Sequence, residues 1–126
     1  MKLVKKKLVV PSEETKYIPG TTMTVDELAE YKTKYKKIYM TNYIDKTYLW
    51  HRLNRKMFGA ICEATKNIKD EPTLILARER EFVKACTIYP DPETVKQDVE
   101  DKMIAERVGR EILYKSGFSQ PETKEL

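Results

Sequence analysis

Three kinds of side chain in this sequence could do chemistry: one imidazole, two thiols and a set of carboxylates. His51 is the sole histidine. A histidine acting as general base needs a group to orient it and a nucleophile to serve. No serine or cysteine here sits in an elbow or motif that would supply one, so His51, placed on a strand, is expected to be structural or superficial. Cys62 and Cys86 fall in stretches of helical periodicity, away from turn signals and from any CxxC or Cys/His cluster. They are expected to be reduced, small core residues, and no metal site is expected. The four glycines, Gly20, Gly59, Gly109 and Gly117, build neither a phosphate loop nor a dinucleotide fingerprint. Asp98, Glu100 and Asp101 gather where the last helix should start, which its dipole favours. The other carboxylates alternate with Lys and Arg as solvated pairs worth ~0.3–0.5 kcal/mol each. No reaction follows from this inventory. The chain is expected to bind or assemble rather than catalyse, with no catalytic residue, no metal and no cofactor.

Composition sets the frame around those residues. The chain has 126 residues, 40% apolar and 35% charged. That length fits one domain able to bury a core without disulfides. The charged share exceeds the ~25% of ordinary domains, which implies a densely charged surface. The net charge is +4, from 24 Lys and Arg against 20 Asp and Glu. The excess sits at the front, in Lys2, Lys5, Lys6 and Lys7 and then Lys32, Lys34, Lys36 and Lys37. Such runs serve either as solvated faces or as contacts for an acidic partner or nucleic acid. The opening residues lack the apolar run of a signal peptide, and no stretch approaches the ~18 apolar residues of a membrane span. An intracellular, reducing location without a membrane partner is the expectation.

Aromatic residues concentrate between positions 31 and 50. Tyr31, Tyr35, Tyr39, Tyr43, Tyr48 and Trp50 are mixed there with lysines. Half-buried faces of a helix and hairpin would explain them. So would an aromatic, basic docking surface, since Tyr, Trp and Arg dominate interface hot spots. Base stacking on the hairpin is a third reading. The candidate partner-binding set is Tyr39, Tyr43, Tyr48, Trp50, Arg52, Arg55 and Lys56, with Lys5, Lys6 and Lys7 as a basic arm.

The elements that must position these residues follow from periodicity and punctuation. Residues 1–23 read as an extended basic arm, with Pro11 and Pro19-Gly20 interrupting it and no core-forming pattern. Thr24 and Glu27 have capping-box spacing and open a helix to about Lys36. Lys37–Tyr43 and Thr47–Arg52 read as a hairpin around Ile44-Asp45-Lys46, with Ile38 and Met40 on one face and Tyr48 and Trp50 on one face of the partner strand. Two strands alone are marginal, so helices must cover a face or another edge must pair. Asn54 caps a helix to about Lys69. A third helix runs from Pro72 to about Ile88, stopped by Tyr89-Pro90-Asp91-Pro92. A fourth runs from about Val99 to Lys115 and ends at Ser116-Gly117-Phe118, with Gly117 left-handed and Phe118 folding back. Residues 119–126 read as a polar tail. The expected fold is α+β: an antiparallel two-stranded β-hairpin packed against about four α-helices, in one domain over residues 24–118.

Three stretches carry a resemblance: KYKKIYMTNYIDKTYLWHRLNRKMFGAI, then EFVKACTIYPDPE, then REILYKSGF. In this order they resemble small tail assembly chaperones of long-tailed bacteriophages, over roughly residues 27–118. The positions that match are Arg52, Asn54, Arg55, Tyr89, Pro90, Ser116, Gly117 and Phe118. The resemblance implies a protein that binds the tape-measure or tail-tube protein in the host cytoplasm and keeps apolar surface soluble until polymerisation. The basic arm lies outside the match. A structural tail or baseplate subunit retained in the virion is the second reading. A small nucleic-acid binder using the Lys-rich arm is the third, with nucleic acid the disfavoured partner. Self-association is left open.

Overall fold

The computed structural model describes residues 16–118. Lys5, Lys6 and Lys7, most of the expected arm and the polar tail therefore lie outside the described residues. Along the described chain run α1 (Val25–Tyr35), β1 (Tyr39–Tyr43), β2 (Lys46–Trp50), α2 (Arg55–Thr65), α3 (Glu71–Cys86), β3 (Thr87–Tyr89), α4 (Pro92–Asp98) and α5 (Lys102–Lys115). The fold is α+β, as the pattern implies, with five helices among the described residues and three strands in one antiparallel sheet ordered β1-β2-β3.

Helix starts follow from side-chain caps that satisfy otherwise orphaned backbone N–H groups. The Thr24 hydroxyl accepts from Glu27 N at 3.1 Å, and the Glu27 carboxylate accepts from Thr24 N at 2.8 Å. Asn54 Oδ1 accepts from Met57 N at 2.7 Å. Asp70, Asp91 and Asp101 cap α3, α4 and α5. The helix expected from Val99 begins at Lys102 instead, and Asp91-Pro92, expected only as part of a stop, opens the additional helix α4; the chain turns at Val99–Glu100 before Asp101 opens α5. Gly117 is left-handed at φ 82°. Phe118 N donates to Leu113 O and Gly117 N to Tyr114 O. This double closure lets the Phe118 ring fold back onto Phe58, 4.4 Å between centroids and 4° from parallel.

The sheet adds a third strand to the expected hairpin. After Cys86 the backbone becomes extended instead of completing another helical turn, so β3 forms and pairs with β2 through Leu49↔Tyr89 and Trp50↔Thr87. The apolar steps of Ile88 and Tyr89 suit a helix equally well, and only the sheet edge selects the strand. In the hairpin, Tyr39, Thr41 and Tyr43 are the half-buried side of β1, while Met40 is 42% exposed. Register explains this: Tyr39↔Trp50 and Thr41↔Tyr48 pair directly, so both face the core with their partners.

The core sits between the sheet and α3–α5. Tyr48, Trp50, Phe82, Val83, Cys86, Val95, Val99, Val108 and Ile112 are among its buried residues. Lys16–Met23, assigned to the arm from sequence, folds back on the body. Val25 N donates to Lys16 O, Thr22 N donates to the Tyr89 hydroxyl, and Met23 is buried. A methionine inside a Pro/Gly/Thr-rich stretch shows no periodicity, so its burial leaves no mark in the sequence.

Helices α3 and α5 meet at a glycine. A Cβ at Gly109 would lie 2.8 Å from Glu79 Cβ and 2.9 Å from Glu79 O. Glu79 is itself buried, and its carboxylate accepts from Arg110 Nε at 3.0 Å. Burial raises the Glu79 carboxyl above its ordinary range, with Arg110 pulling it partly back. Gly109→Ala is expected to destabilise the fold by ~1–3 kcal/mol through overpacking, even though alanine is the better helix former by ~1 kcal/mol. Urea denaturation measures this, and an unchanged or raised midpoint would show that the two helices can separate without loss.

Candidate functional site: a cationic recess beyond the central strand

The sequence-predicted binding residues do not share a surface. Tyr48 and Trp50 are 0% and 1% exposed, so neither can be a docking residue. They face the core because the hairpin register turns their side of β2 toward α3–α5. Their polar tips are satisfied internally, as buried groups require. The Tyr48 hydroxyl donates to Asp98 Oδ2 at 2.7 Å, and Trp50 Nε1 donates to Thr41 Oγ1 at 2.9 Å. Burial and then the Asp98 carboxylate push the Tyr48 phenol upward, so it stays a donor. Tyr39 stacks on Trp50 at 4.8 Å, and the Arg107 guanidinium lies 5.8 Å over Tyr43. Both tyrosines are half-buried supports of the core. The aromatic cluster is thus mostly packing, and the docking-surface reading fails for Tyr48 and Trp50, its two fully buried members.

The basic step after β2 is different. Arg52, Arg55 and Lys56 are exposed. Arg52 borders a recess of about 370 Å³ whose lining also includes Lys34, Tyr35, His51, Asn54 and Ser116. Two sequence-distant stretches are joined there, since Ser116 Oγ accepts from Leu53 N at 2.9 Å. Four of the eight positions that carry the family resemblance lie at or beside this junction: Arg52, Asn54, Arg55 and Ser116. Tyr89 and Pro90 lie apart, bordering other recesses near Thr94.

Two of the residues that line the recess are stacked. The Tyr35 ring lies 3.9 Å from His51, 8° from parallel. His51 N donates to Cys86 O, and His51 Nδ1 lies 2.9 Å from Arg52 O. Only the aromatic ending of α1 hints at this contact in the sequence. None of the residues of α1 is buried, so the stack is a principal attachment of that helix to the body.

The electrostatics are one-sided. Lys34, Arg52, Arg55 and Lys56 form no ion pair among the described residues. Helix α2 has the neutral cap Asn54 and no acidic residue in its first turn, where α1, α3, α4 and α5 each have a carboxylate at the cap or in the first turn. Arg55 and Lys56 therefore add positive charge to the positive end of a helix dipole, a locally unfavourable placement. The arrangement suits carboxylates or another anion presented by a binding partner.

The other candidate chemistry remains apart. Cys86 is buried, which pushes its thiol up to about 12 and makes it unreactive at neutral pH. Cys62 is half-buried rather than in the core. Among the described residues no group of three or more His, Cys, Asp or Glu could hold a metal ion, and no helix is long and apolar enough to cross a membrane.

Burial lowers the His51 pKa below its ordinary 6.5, with the Arg52 carbonyl opposing and Lys34 adding to the effect. The unfolded chain therefore binds a proton that the folded chain resists. Stability from this group is full above 6.5 and declines as pH falls through that value toward the folded pKa. Because His51 is the sole histidine, its imidazole signals can be followed by NMR without assignment. A midpoint below 6.5 is expected; one at 6.5 would place the ring in water, and one above it beside a carboxylate.

No protein-family model matches the chain, and neither a curated protein nor a solved structure matches it.

Proposed function

We propose that this protein is a bacteriophage tail-assembly factor that binds an acidic segment of another tail protein, tape measure or tube, at the cationic recess beyond β2. The reading joins two supports. The first is the resemblance of the hairpin-to-helix step and the Ser116-Gly117-Phe118 ending to tail assembly chaperones. The second, which carries the chemistry, is that Lys34, Arg52, Arg55 and Lys56, standing around a recess and the start of α2, form no ion pair among the described residues. Cations held against a helix dipole cost stability, and an acidic partner would recover that cost on binding. Such a protein would act in the host cytoplasm during virus assembly. Retention in the virion as a tail or baseplate subunit would use the same surface.

Charge reversal separates binding from folding. The triple variant Arg52→Glu, Arg55→Glu, Lys56→Glu is expected to lose co-purification with tape-measure or tube protein. Its thermal midpoint should hold or rise, because carboxylates in the first turn of α2 would complement the dipole by ~0.3–1 kcal/mol each. Undiminished co-purification, or no association of the wild-type chain with any tail protein, would refute the proposal.

A further inference from the structure

The sheet ends in an unguarded edge. β1 pairs with β2 on one side and, among the described residues, with no strand on the other. Tyr43↔Lys46 closes a two-residue turn, so that pair exchanges both ladder hydrogen bonds. The alternation then gives the same role to Thr41↔Tyr48 and Tyr39↔Trp50. The N–H and C=O groups of Met40 and Asn42 consequently point outward, with nothing described to receive them. Proteins blunt such edges with Lys, Pro or bulges. β1 reads Tyr-Met-Thr-Asn-Tyr and has none of these, while the sheet's one irregularity lies on the far side, at Leu49/Trp50.

We infer that β1 pairs antiparallel with β1 of a second copy of this chain, about a two-fold axis through Thr41, giving one continuous six-stranded sheet. The sequence is self-complementary in this register. Met40 faces Asn42 of the other copy twice over, so all four outward groups on each strand find partners. No charged residue lies in β1, so the strands approach without like-charge repulsion despite the net charge of +4. Just past the strand ends, Lys37 comes toward Asp45 of the second copy, and the symmetry repeats that complementary pair. Lys46 is held by its own Asp98 at 3.5 Å. Lys36, at φ 73°, ends the extended run before it can oppose Lys46 of the other copy.

The turn adds an independent observation. Ile44 is 86% exposed and sits at φ 58°. A β-branched residue in this region is strained, and glycine is the usual occupant of such a position in a hairpin turn. In the proposed register, Ile44 faces Ile38 of the second copy, so an apolar side chain that strains the monomer's turn gains cover in the pair.

Sedimentation equilibrium of the full chain tests this. A dimer is expected at about 100 µM, with association weakened at least about ten-fold by Met40→Lys, which places a charge on the edge. Lys37→Asp should weaken it about ten-fold, and adding Asp45→Lys should restore it, because the reversed pairs again attract. Circular dichroism establishes that each variant folds. A monomeric wild-type chain would overturn the inference, whether a terminal segment or a foreign strand occupies the edge instead. So would a dimer indifferent to Met40→Lys, or a charge swap that fails to restore association while both variants remain folded. These outcomes do not depend on whether the recess binds a tail protein.

Discussion

The central strand buries three consecutive side chains, Tyr48, Leu49 and Trp50, and most of the described fold is arranged to make that burial tolerable. A strand with both faces covered must have layers on each side, and two of these three residues carry a polar tip that cannot be left unpaired. The Tyr48 hydroxyl therefore fixes Asp98 at the end of α4, and Trp50 Nε1 fixes Thr41 on β1. The first bond ties a distant helix to β2 and the second reinforces the hairpin, while each removes a desolvation cost of about 1–3 kcal/mol. The α3–α5 pair is the second wall of the same core. Its closest approach, at Gly109 and Glu79, sets how near the helical layer can come.

Much of this architecture is legible in the sequence because local chemistry decides it. Thr24 and Asn54 cap helices where their spacing says they should, and Gly117 with Phe118 closes α5 as the sequence implies. The departures lie where tertiary context decides between equal local options. Ile88 and Tyr89 suit a helix or a strand, and pairing with β2 selects the strand. Asp91-Pro92 can end one helix or begin another, and here it begins α4, because β3 has already ended α3 at Cys86. The inward face of β1 is not the more apolar one: Ile38 and Met40 look more apolar than Tyr39, Thr41 and Tyr43, yet register to β2 governs direction.

The site is half legible for a related reason. Tyr48 and Trp50 have the composition of a hot spot and also of a core, and sequence cannot separate the two when a buried partner satisfies the polar tip. Exposure of Arg52, Arg55 and Lys56 is legible, because charged side chains are rarely buried unpaired. Their company is not. The Tyr35–His51 stack and the Ser116–Leu53 hydrogen bond bring residues from three parts of the chain to one recess. No short-range pattern encodes that convergence.

Departures from local stability rules sort into two kinds. Glu79 is a buried carboxylate, but Arg110 pairs with its Oε2 and Gly109 admits the helix that covers it, so the anomaly is compensated at one of its two oxygens. The cations at the start of α2 and the isoleucine at a positive φ have no such compensation within the described chain. Sequences that fold well agree with themselves at every level, and exceptions without an internal counterpart tend to mark function. The two uncompensated sites are at the surface, on different elements and of opposite character, one cationic and one apolar beside an open strand edge. A single partner would have to be both acidic and strand-like to account for them together. Two separate contacts, an acidic segment at the recess and a second copy at β1, require no such coincidence.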